Sequence, residues 1–233
     1  MSKQRAGNPL VMLSHCGGAS RLLYTTISEE LARLGYIVAA IDHPYDTLIV
    51  EFPDGHIVKG GSEEIDRDLI KLLVKTRAQD VSFVIDELGR PSSKHPFEMN
   101  TTDVIAFGHS LGGASVAEAA LKDTRIKGGI NVDGRLFGSL ERPNTTLSKS
   151  FIQFQSEESA HGPPWNWDEE WQHLSGWKIQ LLLEGAQHAT FTDMPLVIEA
   201  LGLRKRWGRR GEEILGKLDG RKRRRPFSRS QSR

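Results

Sequence analysis

Short apolar runs alternate along this chain with longer stretches in which apolar residues recur every three or four positions. Residues 10–13 read as a short buried strand, and over residues 21–34 Leu23, Ile27, Leu31 and Leu34 fall on one helical stripe closed by Gly35. Residues 36–41 form a continuous β-branched and apolar run, the pattern of a strand buried on both faces. An irregular segment follows over 42–61, with a tight turn at Asp54-Gly55. Ser62 then caps a helix running to about residue 88, whose inner face is drawn from Ile65, Leu69, Leu72, Leu73 and Val84. A strand at 104–107 leads into a helix rich in small residues, and further strands are expected at 127–132, 150–155 and 178–183 before a helix at 194–201. Strands alternating with helices predict one α/β domain over residues 1–203, built on a mostly parallel sheet of about six strands with helices on both faces.

The stretch Asp103 to Ala120, DVIAFGHSLGGASVAEAA, organises the rest. Its apolar strand stops at Gly108-His109-Ser110-Leu111-Gly112 and a helix begins at once, which is the context of a nucleophile elbow. The spacing is steric: a serine at a strained backbone position needs glycines two residues to either side. Ser110 is therefore the candidate nucleophile. The N–H of Leu111, at a helix N-terminus, is the first candidate oxyanion donor.

A serine needs a base to take its proton and a third group to orient that base. His188 lies just past a late strand, in Glu184-Gly185-Ala186-Gln187-His188, and suits the base. For the acid, Asp133 ends the strand Ile130-Asn131-Val132, and Glu157 and Glu158 follow the next strand as rivals; the order Ser, acid, His holds either way. A second oxyanion donor belongs on the loop after the first strand, where His15-Cys16-Gly17-Gly18 points to the Gly17 N–H. Cys16 itself reads as a small buried filler. His15 and His109 read as backbone holders, and His43 as either structural or at the mouth of a pocket. Trp165, Trp167, Trp171 and Trp177, with Pro163-Pro164, form an aromatic segment that either lines an acyl or lipid-facing site or packs a short helix onto the core. No motif with metal-ligand or dinucleotide-binding spacing is present, so no metal and no cofactor are expected.

Composition sharpens this picture in two places. One cysteine rules out a disulfide framework, and no apolar run reaches the roughly eighteen residues of a membrane span or the core of a signal peptide, so a cytoplasmic setting is expected. The net charge of +1 conceals a division: residues 204–233 hold 13 Lys and Arg against three acidic residues, while residues 1–203 hold 18 against 27. A tail containing Arg221-Lys222-Arg223-Arg224-Arg225 is expected to be disordered. It is either a passive solvated end or a segment for nuclear import or an anionic surface, with no specific nucleic-acid partner expected.

Taken together, these residues resemble the platelet-activating factor acetylhydrolase branch of the α/β-hydrolases, in its fungal and bacterial forms. The likeness runs over about residues 9–201. It rests on Ser14-His15-x-x-Gly18-Ala19, Gly35-Tyr36-Ile37-Val38-Ala39-Ala40 with Asp42-His43, the elbow from Gly108 to Ala114, Gly129-Ile130-x-x-Asp133-Gly134, and His188 with Phe191-x-Asp193. The resemblance implies an α/β-hydrolase fold and favours Asp133 over Glu157 as the acid. It also implies calcium-independent hydrolysis of a phospholipid with a short acyl chain, such as 1-alkyl-2-acetylglycerophosphocholine. A broader esterase or thioesterase of secondary metabolism, and a catalytically degenerate binding protein, are the alternative readings. Against the family pattern the chain looks truncated at both ends, which would leave 36–41 as a sheet edge unless 48–58 folds over it as a hairpin, and such an edge invites association.

Overall fold

The computed structural model describes residues 7–61, 66–91, 98–161 and 167–203. Six strands form one parallel sheet: β1 (Asn8–Ser14), β2 (Ile37–Ile41), β5 (Met99–His109), β6 (Ile126–Val132), β7 (Ser150–Ser156) and β8 (Lys178–Leu183), in the order β2-β1-β5-β6-β7-β8. The remaining strands, β3 (Ile49–Glu51) and β4 (Ile57–Lys59), pair antiparallel as a separate hairpin, turning at Gly55 with φ 83°. The hairpin occupies the segment expected to be irregular, and among the described residues its two strands pair only with each other. β2 thus stays at the sheet edge, and its residues 37–40 are only half-buried where burial on both faces was expected.

Strand periodicity divides the core in two. Leu10 and Met12 of β1, with Val104 and Ala106 of β5, face one side and meet α2 (Arg67–Leu88) and α3 (Leu111–Lys122). Val11, Leu13 and Phe107 face the other, against Tyr24 and Leu23, Ile27 and Leu31, which belong to a 3-10 turn at Arg21–Tyr24 and to α1 (Thr25–Arg33). Leu34, expected on the same stripe, is exposed beyond the end of α1.

α2 departs from expectation at its cap and on part of its inner face. Its start is capped by Asp66, whose carboxylate accepts from the Leu69 N–H at 2.7 Å, while the proposed cap Ser62 and Ile65 lie outside the described residues. Its fully buried stripe is Val74, Arg77, Ala78, Val81 and Ile85; of the expected inner-face residues Val84 packs against the core and Leu69 and Leu73 are half-buried, while Leu72 is 58% exposed. The apolar pattern misled because a charged residue, Arg77, lies on the inner face. The chain continues through α4 (Glu157–His161), α5 (Trp167–Gln172) and α6 (Met194–Ala200). On the α1 side an apolar cleft of about 940 Å³ runs along the sheet, lined among others by Val11, Phe107, Ile130 and Leu181.

Candidate active site

The carboxyl ends of β1, β5, β6 and β8 bring the predicted residues to one edge of the sheet. Between β5 and α3, Ser110 has φ 57° and ψ −121°, a conformation costly for any residue with a Cβ. Its backbone is pinned by its own N–H, which donates to the Val132 carbonyl at 2.8 Å, and by its carbonyl, which accepts from the Gly113 N–H at 2.8 Å. The flanking glycines are required by close approach: a Cβ on Gly108 would run into the Gly112 carbonyl, and one on Gly112 into the Ser14 carbonyl. Ser110 itself is half-buried, within reach of solvent.

At the end of β6, Asp133 is fully buried with φ 52°. Its carboxylate accepts from the Ser156 N–H at 2.7 Å, the Ser156 hydroxyl at 2.9 Å, the Ser159 hydroxyl, and His188 Nδ1 at 2.7 Å. Burial pushes this carboxyl up, but the donors from His188, Ser159 and Ser156 outweigh it and hold the group below the ordinary carboxylate range. A carboxylate that accepts at Nδ1 fixes the proton there, leaving Nε2 of His188 as the basic nitrogen.

His188 opens a 3-10 turn after β8, with its side chain 40% exposed. The rival acids hold the backbone of this loop: Glu157 accepts from the Gly185 N–H at 2.7 Å and Glu158 from the His188 N–H at 2.8 Å. Further along, Asp193 accepts from the Thr26 N–H at 3.1 Å, tying the loop to α1. The His188 ring lies 4.6 Å, centroid to centroid, from that of His109, the residue before the serine. Burial first, and then the nearness of His188, push His109 down to about 3, so it is neutral.

Across the elbow, the loop after β1 carries Gly17, whose Cα faces Leu111: a Cβ there would sit 3.5 Å from Leu111 Cδ2. The N–H of Leu111 heads α3, where no intrahelical acceptor is available. Gly17 therefore lies against Leu111, the residue that follows Ser110.

The pocket candidates fare differently. His43 is buried rather than at a pocket mouth, because its Nε2 meets the Ser14 hydroxyl at 2.9 Å and its Nδ1 meets Asp80 at 2.7 Å. Trp167 is buried and Trp171 packs against the α2–α3 core, which favours the packing role over a pocket wall; Trp177 is 63% exposed beside the apolar cleft. Trp165 lies outside the described residues. Ser156, Ser159, Tyr24 and Arg77 were missed. Only Arg77 left a signal in the sequence, as a cation in register with Val74, Val81 and Ile85 on an amphipathic helix.

Donor atoms of His109, Asp133 and His188 lie within 4.8 Å of one another, a grouping with metal-ligand residue types. The four lone-pair sites of the Asp133 carboxylate are already used, so an ion there would have to displace His188 or a serine. The arrangement suits proton transfer instead: a carboxylate, an imidazole and a strained serine at the head of a helix.

A profile of the Alpha/beta hydrolase family matches residues 10–227. A probable 1-alkyl-2-acetylglycerophosphocholine esterase of Arthroderma benhamiae is 31% identical over 220 residues, covering 90% of this chain and 54% of that protein. The platelet-activating factor acetylhydrolase of Cavia porcellus is 25% identical over 211 residues, covering 79% and 48%. The chain spans about half the length of these curated relatives. Among solved structures, a ferulic acid esterase from Streptomyces cinnamoneus superimposes with a TM-score of 0.82 at 34% identity, over 92% of this chain and 62% of that one. With a profile match over most of its length and the six-stranded parallel sheet already described, the chain belongs to the alpha/beta hydrolase family.

Proposed function

We propose that the protein is a serine carboxylic-ester hydrolase in which Ser110 attacks the ester carbonyl, His188 Nε2 takes its proton and returns it to the leaving alcohol, and Asp133 orients the imidazole. The N–H groups of Gly17 and Leu111 hold the oxyanion, and water then releases the acyl group by the same route in reverse. The observation that carries this reading is the 2.7 Å bond from His188 Nδ1 to a buried, fourfold-bonded carboxylate, made beside a serine at φ 57°. For the substrate we infer a glycerophospholipid ester with a short acyl group, on the names of the Arthroderma and Cavia relatives. A second reading, an ester of an aromatic acid, is supported by the likeness to the Streptomyces ferulic acid esterase. Among the described residues no helix is long and apolar enough to cross a membrane.

Purified protein with an acetylated phospholipid, a feruloyl ester and p-nitrophenyl acetate separates these readings by relative kcat/KM. Ser110→Ala should lower turnover of whichever ester is preferred by about a thousandfold or more with no change in the unfolding midpoint, and a fluorophosphonate should label the native chain at Ser110 alone. Unchanged turnover in the pure variant would remove Ser110 from the mechanism.

A further inference from the structure

Beneath the loop after β1 lies a buried polar network that the proposed chemistry does not itself use. Arg77 of α2 is 1% exposed and donates to the His15 carbonyl at 2.5 Å, to the Cys16 carbonyl at 3.4 Å and to Asp46 at 2.5 Å. The Cys16 carbonyl accepts two further bonds, from His15 Nδ1 at 2.7 Å and from the Ala19 N–H at 3.2 Å. Asp46 in turn accepts from the Gly18 N–H at 3.1 Å.

We propose that Arg77 and His15 are positioning residues that aim the Gly17 N–H at the oxyanion, acting through the Cys16 carbonyl. This inference rests on the esterase reading and deepens it. A trans peptide is planar, with its C=O and N–H pointing to opposite sides, so whatever holds the Cys16 carbonyl sets the direction of the Gly17 N–H. The preceding peptide shows which side that is. Its carbonyl, from His15, meets Arg77, and its N–H, from Cys16, donates in the opposite direction to the Tyr24 hydroxyl at 3.0 Å, which bonds His109 Nδ1 at 2.7 Å. Because the Cys16 carbonyl also faces Arg77, the Gly17 N–H points with the Cys16 N–H, toward the side of the elbow and Leu111. Two successive N–H groups turned one way, with their carbonyls neutralised by a guanidinium on the other, form the preorganised dipole array that a developing negative charge needs.

The donors that hold this arrangement are themselves fixed. His15 Nδ1 must carry the ring proton, since its partner is a carbonyl, and Nε2 then accepts from the Thr47 hydroxyl at 2.9 Å. Burial and the adjacent Arg77 push His15 down to about 4, so the ring is neutral and keeps this tautomer. Ser14, His43 and Asp80 have the residue types of a triad, but Ser14 and His43 are buried and Arg77 Nη1 lies 3.4 Å from the Ser14 hydroxyl. They brace the guanidinium from below.

The test compares the native protein with Arg77→Met, and Arg77→Ala with and without guanidinium, on p-nitrophenyl acetate. In folded Arg77→Met, kcat and the rate of fluorophosphonate labelling should both fall about 10- to 100-fold while KM stays within about twofold, because an oxyanion donor acts in the transition state and not on bound substrate. Millimolar guanidinium should restore part of the Arg77→Ala loss, and ammonium at equal ionic strength should not. Native kcat in folded Arg77→Met overturns the inference. Should the Arg77 variants fail to fold, His15→Asn, which keeps a donor level with Nδ1, is set against His15→Gln, whose donor lies level with Nε2. The Asn variant is expected to retain about tenfold the kcat of the Gln variant, and equal rates overturn the proposal. A native chain that fluorophosphonate does not label would defeat the esterase reading, a result distinct from labelled native protein with unaffected variants.

Discussion

At the scale of single residues, the acid assignment carries the sharpest consequence. Asp133 alone bonds the imidazole, whereas Glu157 and Glu158 bond backbone N–H groups of the same loop. Asp133→Asn places an amide where four donors converge and favours the wrong tautomer of His188, so kcat should drop on the order of 10³- to 10⁴-fold. Glu157→Gln keeps an acceptor for the Gly185 N–H and should cost less than about tenfold. Steady-state kinetics on the two pure variants checks the ranking, and the reverse order would move the acid to the end of β7. The sequence favoured Asp133 but kept Glu157 and Glu158 as rivals, since each follows an apolar strand; the family resemblance strengthened the choice of Asp133. What decides between them physically is Ser156 and Ser159, two serines that look like ordinary loop residues until the fold stacks them on the Asp133 carboxylate.

Buried histidines give a second consequence at this scale. Burial, assisted by Arg77 and His188 respectively, lowers His15 to about 4 and His109 to about 3, against about 6.5 in an unfolded chain. Below pH 6.5 the unfolded state binds protons that the native state refuses, so stability falls as pH drops from there toward 4, by up to about 1.4 kcal/mol per pH unit for each histidine. His109→Gln should flatten this slope in urea-unfolding curves recorded between pH 7 and 4.5. A slope identical to that of the native chain would mean that His109 titrates normally.

At the scale of elements, the chain discloses its strands better than its helix faces. The parallel strands are short segments rich in apolar and β-branched residues bounded by polar or turn residues, so 10–13, 127–132 and 178–183 stand out, and each is found within a residue or two of its expected ends. A helix face is read from the spacing of apolar residues, and α2 breaks that reading by burying Arg77 and exposing Leu72. The exception is informative, because a cation is tolerated on the buried face only where acceptors wait for it, here the His15 and Cys16 carbonyls and Asp46. The edge position of β2 was readable only as a conditional, since pairing is non-local. α2 also depends on its first turn. Asp66→Ala removes the acceptor for the Leu69 N–H and should destabilise the protein by about 1 kcal/mol, with Asp66→Asn costing less, as read from chemical denaturation. Equal losses for the two substitutions would mean that the charge near the helix N-terminus, rather than the cap bond, is what matters.

For the molecule as a whole, charge is divided along the chain, with a net of −9 over residues 1–203 and +10 over residues 204–233. The basic segment lies outside the described residues, and every group placed at the candidate site lies between Ser14 and Asp193. Beyond Leu218 the sequence has no apolar periodicity and carries like charges, the composition of a segment that adds nothing to a core. Deleting residues 222–233 should therefore leave hydrolysis of p-nitrophenyl acetate within about twofold of the full chain. A lipid substrate presented on anionic vesicles is a different case, because each basic residue near such a surface contributes about 1 kcal/mol and that attraction is screened by salt. If the segment recruits the protein to lipid, the full chain should hydrolyse vesicle-borne ester faster at low salt than at high salt, and the shortened chain should be slower and less salt-sensitive. Loss of soluble-ester activity on deletion would instead assign residues 222–233 to the fold, and equal rates on both substrates would leave them without a part in either.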